Sequence, residues 1–167
     1  MAEVGCLKDG CFQNLQVEGT STIAGNLLFK RKVRVGAFSS HAMTISSVES
    51  GSIITIPVTG ANSTITLPLI SSGLSGFFVT LVCATDNGAH TITLQQGEAD
   101  DGSGTPAATP FFGILMDDGV NSLDPGTTSA VIGTEKFKQG DQIELTCDGT
   151  NYIIKAQTVT TAAITVS

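Results

Sequence analysis

An all-β fold is predicted for this chain: an antiparallel β-sandwich of jelly-roll type preceded by an N-terminal arm. Three observations predict it. Helical periodicity is nearly absent, period-two alternation is widespread, and turn signals recur about every ten residues. The 167 residues suffice for one principal domain with an appendage. A core of that size needs neither a disulfide nor a metal.

The elements follow in chain order. FQNLQVEGTSTIAGNLLF has short apolar beats at Leu15, Val17, Ile23, Leu27 and Leu28, broken by Gly19 and Gly25. Such beats bury little unless other chains supply the missing side. Lys30, Arg31, Lys32 and Arg34 follow as the one basic cluster. Two readings stand for it: charges that keep a strand edge from pairing, or a docking patch for an acidic surface. SIITIPV and STITLPLI are strands joined by Thr59-Gly60-Ala61-Asn62. In the second, Ile65, Leu67 and Leu69 share one face, with Thr64, Thr66 and Pro68 on the other. GFFVTLVC is apolar on both faces and reads as a central strand covered on each side. Asp86-Asn87-Gly88 leads from it to HTITLQQ, where Ile92 and Leu94 oppose Thr91, Thr93 and Gln95.

Residues 97–110 and 117–129 are polar and turn-rich, and are predicted to be long exposed loops around the short apolar piece FFGILM. QIELTC sets Ile143, Leu145 and Cys147 against Gln142, Glu144 and Thr146. It is joined to YIIKA by Asp148-Gly149-Thr150-Asn151, the strongest hairpin signal in the chain. The three turns together predict an antiparallel meander or Greek key. TVTTAAITVS closes the sequence as a strand-like tail, a hazard unless it pairs within the fold or with a neighbour. The expected organisation is an attachment segment over residues 1–36, a sandwich over 37–157 and the tail over 158–167.

Charged residues are only 14% of the chain, with eight basic and fifteen acidic for a net charge of −7. An ordinary soluble domain has about 25%, so burial of surface in an assembly is the simpler explanation of the deficit. The negative balance argues against nucleic-acid and membrane partners. No apolar run is long enough to span a bilayer and MAEVGCLKDGCF lacks a signal core, so synthesis in a cytoplasm without export by the usual route is expected. Cys83 and Cys147 lie on apolar strands as small hydrophobes. Cys6 and Cys11, with no His nearby and no second Cys pair at metal spacing, read as free thiols in preference to a zinc site, and a local or inter-chain disulfide is the third reading. His41 and His90 are the only histidines, and no nucleophile elbow, phosphate loop, dinucleotide fingerprint or zinc helix is present. A non-enzymatic role is expected, with no catalytic residue, cofactor or metal assigned. The acidic residues Glu98, Asp100, Asp101, Asp117, Asp118 and Asp124 do not follow the calcium-loop spacing and read as solvated loops. Asn62-Ser63-Thr64 matches a glycosylation sequon and is read as a turn.

Several strings carry a resemblance. FQNLQVEGTSTIAGNL resembles the N-L-x-V-x-G-T-T-T-x-x-G strings of phage tail-fibre and head-fibre proteins. Further on, Ile65-Thr66-Leu67-Pro68, a Ser/Gly loop over residues 71–76, FFVTLVC, an I-T-L strand and the closing stretch over residues 140–152 are similar in order to the globular domains of such fibres. The resemblance spans roughly residues 12–157. It implies a short trimeric β-stalk bearing a knob, and a chain this short is closer in plan to a capsid decoration, cement or head-fibre protein than to a long tail fibre. The expected partners are sister chains in a homotrimer and the major capsid protein, and the expected location is the virion surface. Leu15, Val17, Ile23, Leu27, Lys30, Arg31 and Lys32 are the candidate interface residues. The alternative is a tail-fibre or tail-tip protein whose loops over residues 97–129 contact a host glycan, a role weakened by the absence of Trp and the single Tyr.

Overall fold

The computed structural model describes residues 31–57, 59–97, 110–117, 120–127, 129–160 and 163–166. The chain divides at Lys30 and Arg31 into two units, and the second, Arg31–Ser167, contains all of the described residues.

The described residues form twelve strands and two short 3-10 turns, Ser47–Glu49 and Ser72–Leu74, with no α-helix among them. The protein is all-β. The strands are β1 (Val33–Val35), β2 (Ala42–Thr44), β3 (Ile53–Ile56), β4 (Ser63–Leu67), β5 (Phe78–Cys83), β6 (Ile92–Gln96), β7 (Phe111–Asp117), β8 (Val120–Thr127), β9 (Ser129–Ile132), β10 (Gln142–Cys147), β11 (Tyr152–Thr158) and β12 (Ile164–Val166). They build a seven-stranded sheet, ordered β1-β3-β5-β10-β11-β7-β8, and a five-stranded sheet, ordered β12-β9-β6-β4-β2.

The antiparallel jelly-roll expectation does not hold. Five of the ten strand pairings are parallel: β1 with β3, β3 with β5, β2 with β4, β4 with β6, and β7 with β11. Consecutive strands from β1 to β6 alternate between the two sheets, so this half of the chain winds as a coil. The turns at residues 59–62 and 86–88 therefore arch from one sheet to the other instead of folding back as hairpins. Gly, Asn and Asp favour a change of chain direction of either kind, which is why the sequence signal is the same for both.

Contacts between arches select the crossing. Asn62 Oδ1 accepts from the Thr91 N–H at 3.0 Å, tying one arch to the next. Buried Asn87 donates to the carbonyls of His90 and Gly133 and accepts from the Phe137 N–H.

The Asp148 turn is a hairpin as predicted. It joins β10 and β11, which enter the middle of the larger sheet between β5 and β7. The stretch read as a loop over residues 117–129 is a correction, since most of it is β8. That edge strand is made by main-chain pairing with β7, with no alternation in its sequence to announce it. Its Pro125 falls where the register shifts between Phe111 and Gly113, a place where a residue without an N–H is tolerated. Two described segments read as appendages are also strands of the sheets. β1, within the segment assigned to the arm, pairs with β3, and β12, in the tail, pairs antiparallel with β9.

Alternation puts one face of each sheet into a single shared core. Ile65, Leu67, Ile92, Leu94 and Ile132 from the smaller sheet meet Ile54, Leu81, Ile143, Leu145 and Ile154 from the larger. Tyr152 stacks on Phe111 at 5.7 Å between ring centroids and meets Phe77 edge-on at 6.3 Å. Its hydroxyl donates to the Pro68 carbonyl at 2.7 Å, so the buried phenol oxygen is satisfied. Cys83 and Cys147 are buried free thiols. Burial pushes Cys83 up to about 11, which keeps it protonated and unreactive.

Candidate interaction surface

Because strand neighbours in register share a face, the outer face of the seven-stranded sheet can be read off the pairings as three rows. The first runs Phe78, Thr146, Ile153, Phe112. The second, in the middle, runs Val33, Ile53, Thr80, Glu144, Lys155, Ile114. The third runs Val35, Thr55, Val82, Gln142, Gln157, Met116.

This face is unusually apolar for one turned to solvent. Val33 is 63% exposed, Val35 77%, Ile114 49% and Phe78 44%, and Met116 and Ile153 are also exposed. Scattered apolar residues on a surface are ordinary, but contiguous ones mark contact surfaces. An antiparallel sheet with one solvated face normally carries polar residues there. Here β10 obeys that pattern, with Gln142, Glu144 and Thr146 outward, while β5 and β7 do not.

Its charges sit among these residues. The Arg31 guanidinium lies over the Phe78 ring, 5.5 Å from the centroid. It donates to Thr80 Oγ1 at 3.0 Å and to the Gly51 carbonyl at 3.0 Å. Thr80 is buried as a result of that cover. Glu144 and Lys155, cross-strand neighbours in the middle row, stand 3.6 Å apart with both side chains about half exposed. A pair so exposed contributes little to stability. It leaves one acid and one base next to each other near the centre of the face.

A second feature is a groove of about 450 Å³ beside the ends of β2 and β4. Thr44, Ser46, Ser47, Thr66 and Ser71 give it hydroxyls and Ile45, Leu69 and Leu74 an apolar floor, with no aromatic ring in its lining. Nearby, Arg34 and Glu49 form an ion pair at 2.7 Å, and the Ser46 N–H donates to Glu49 Oε2 at 2.9 Å. Burial raises the Glu49 pKa, but these partners outweigh it and the group ends below the usual carboxylate value.

Of the predicted interface residues, Leu15, Val17, Ile23, Leu27 and Lys30 lie outside the described residues, as do Glu98, Asp100, Asp101 and Asp118. Arg31 lies on the outer face and is engaged with its own chain. Lys32 is exposed, and its carbonyl accepts from the Ile53 N–H. Sequence reasoning missed the outward residues of β5, β7 and β11. Their signal was present as apolar residues out of phase with the core: Phe78 and Val82 in FFVTLVC, Ile114 and Met116 in FFGILM, and Ile153 in YIIKA. His41 and His90 stand apart on separate turns, and the described residues contain no cluster of His, Cys, Asp and Glu that could hold a metal.

No protein-family model matches this sequence, and no curated protein matches it.

Proposed function

We propose that this chain is a structural protein of a virus particle, a capsid decoration, cement or head-fibre protein that attaches to the major capsid lattice and stabilises it. The observation that carries the reading is the outer face of the seven-stranded sheet, broad and apolar on a chain with few charges. Such a face gains free energy by leaving water, about 25 cal/mol for each Å² of apolar surface covered. Repeated over a symmetric shell, many modest contacts give firm attachment without a strong single site. The order of motifs that resembles phage fibre proteins points the same way. The homotrimer belongs to this proposal, with Leu15, Val17, Ile23 and Leu27 as candidates for the trimer or capsid contact.

Electron microscopy of the native particle tests it. Density for this protein on the shell, in hundreds of copies, is the expected result; density confined to the tail, or absent from the particle, overturns it.

The groove beside β2 and β4 favours a second reading, a receptor-binding protein of the tail. Its hydroxyls suit a sugar, although no ring is present to stack on one. Binding on a glycan array, together with a few copies per particle, would favour this alternative.

A further inference from the structure

We infer that the outer face of the seven-stranded sheet is a homotypic contact. A second copy of this chain packs on it face to face, about a two-fold axis along the seam between β10 and β11. The inference deepens the proposed function by naming an occupant. It rests on that function only in treating this face as an assembly surface, and needs neither the virus nor the trimer.

The symmetry of the face itself carries this assignment. The strand order β5-β10-β11-β7 is centred on the β10–β11 seam. A two-fold axis along that seam lays β10 of one copy over β11 of the other, and β5 over β7, while each row faces its own counterpart. A two-fold contact must be self-complementary, and the rows satisfy that condition. In the middle row Glu144 meets Lys155 of the second copy, twice over. In the first row Phe78, with Arg31 against its ring, comes opposite Phe112 of the second copy. In the third row Gln142 meets Gln157 of the second copy, amide to amide. Acid against base fixes the register and disfavours a shifted one, where like charges would meet. Aligned sheets cross at about −30°, which tilts the rows but keeps the central pairs together.

The size of the patch sets its strength. Twist of about 20–25° per strand confines flat contact to the four central strands. With strands ~4.8 Å apart and alternate residues ~6.8 Å apart, the patch is about 20 Å by 20 Å. That projects to about 400 Å², half of what each partner gives to a standard stable interface. The contact is therefore weak and concentration-dependent between free molecules. It becomes firm where other contacts hold copies side by side. Glu144 and Lys155 are both about half exposed, so charge substitutions there are read against a fold they barely support.

Sedimentation velocity of the full chain across about three decades of concentration tests the inference. The expected result is a species of doubled mass that grows with concentration. Glu144→Lys or Lys155→Glu alone weakens that association at least about tenfold. The combined variant restores it, and thermal melts of all three stay close to the parent. Single variants that sediment like the parent overturn the inference, and so does a double variant that stays dissociated. One unchanging species at every concentration also overturns it and assigns the face to a different protein. Particle microscopy decides the virion reading separately, so either idea can fail while the other stands.

Discussion

Asn87 holds three stretches of backbone with one side chain. Its amide donates to the carbonyls of His90 at 2.8 Å and Gly133 at 2.7 Å, and its oxygen accepts from the Phe137 N–H at 3.1 Å. Asn87 itself is almost wholly out of contact with water, being 1% exposed. Replacement by Ala leaves buried groups without partners, so Asn87→Ala is expected to cost about 3 kcal/mol in urea unfolding. Asn62→Ala, at an exposed arch with one such bond, is expected to cost about 1 kcal/mol or less.

Glu49 gives a pH signature at the same scale. Its folded pKa lies below the ordinary 4.5, so the ionised form is favoured by folding. The stability it adds is fully present above the unfolded carboxylate pKa. It is lost as pH falls through the lower, folded value. The parent should therefore exceed Glu49→Gln in melting temperature at pH 7, and the gap should narrow steadily once pH drops below about 4.5. A gap that does not change with pH would show that the carboxylate charge contributes nothing.

At the scale of elements, the β10–β11 hairpin was legible because its signal is local. Asp148 Oδ1 accepts from the Thr150 and Asn151 N–H groups, each at 2.7 Å, and Gly149 takes φ +94°. These residues close the turn wherever the strands lie. The arches at residues 59–62 and 86–88 carry the same signals, yet they do not fold back. Whether a strand folds back or crosses depends on which sheet receives it, and that is a long-range matter. The β7–β11 pairing was also invisible in sequence, though it left one mark. Gly113 stands so close to β11 that a Cβ would collide with the Ile154 backbone carbonyl. Gly113→Ala is therefore expected to separate β7 from β11 at a cost of about 3 kcal/mol or more, seen as early hydrogen exchange in β7 and β8 ahead of β10.

At the scale of the whole molecule, stability and association fall on opposite faces of one sheet. Inward residues such as Ile54, Leu81 and Ile143 are wholly buried and belong to the core. Outward Ile114, Met116 and Ile153 are between 36% and 49% exposed and contribute little to it. The combined variant Ile114→Thr, Met116→Gln and Ile153→Thr should keep the parent's stability within about 1 kcal/mol. It should nevertheless lose the concentration-dependent doubling of mass in sedimentation velocity. Doubling at parental levels would remove these apolar residues from the homotypic contact.

The amino-acid sequence by itself determined that the protein is all-β, where its core strands lie, which face of β4, β6 and β10 is buried, and where the chain turns. Each of these follows from alternation and turn chemistry, which act over a few neighbouring residues. Only the tertiary structure decided that half the pairings are parallel, that β8 is a strand and that β12 lies within the smaller sheet. It alone gathered the out-of-phase residues of β5, β7 and β11 onto one surface. Those features depend on which strands become neighbours, and main-chain hydrogen bonding, being the same for every residue, writes no choice of neighbour into the sequence.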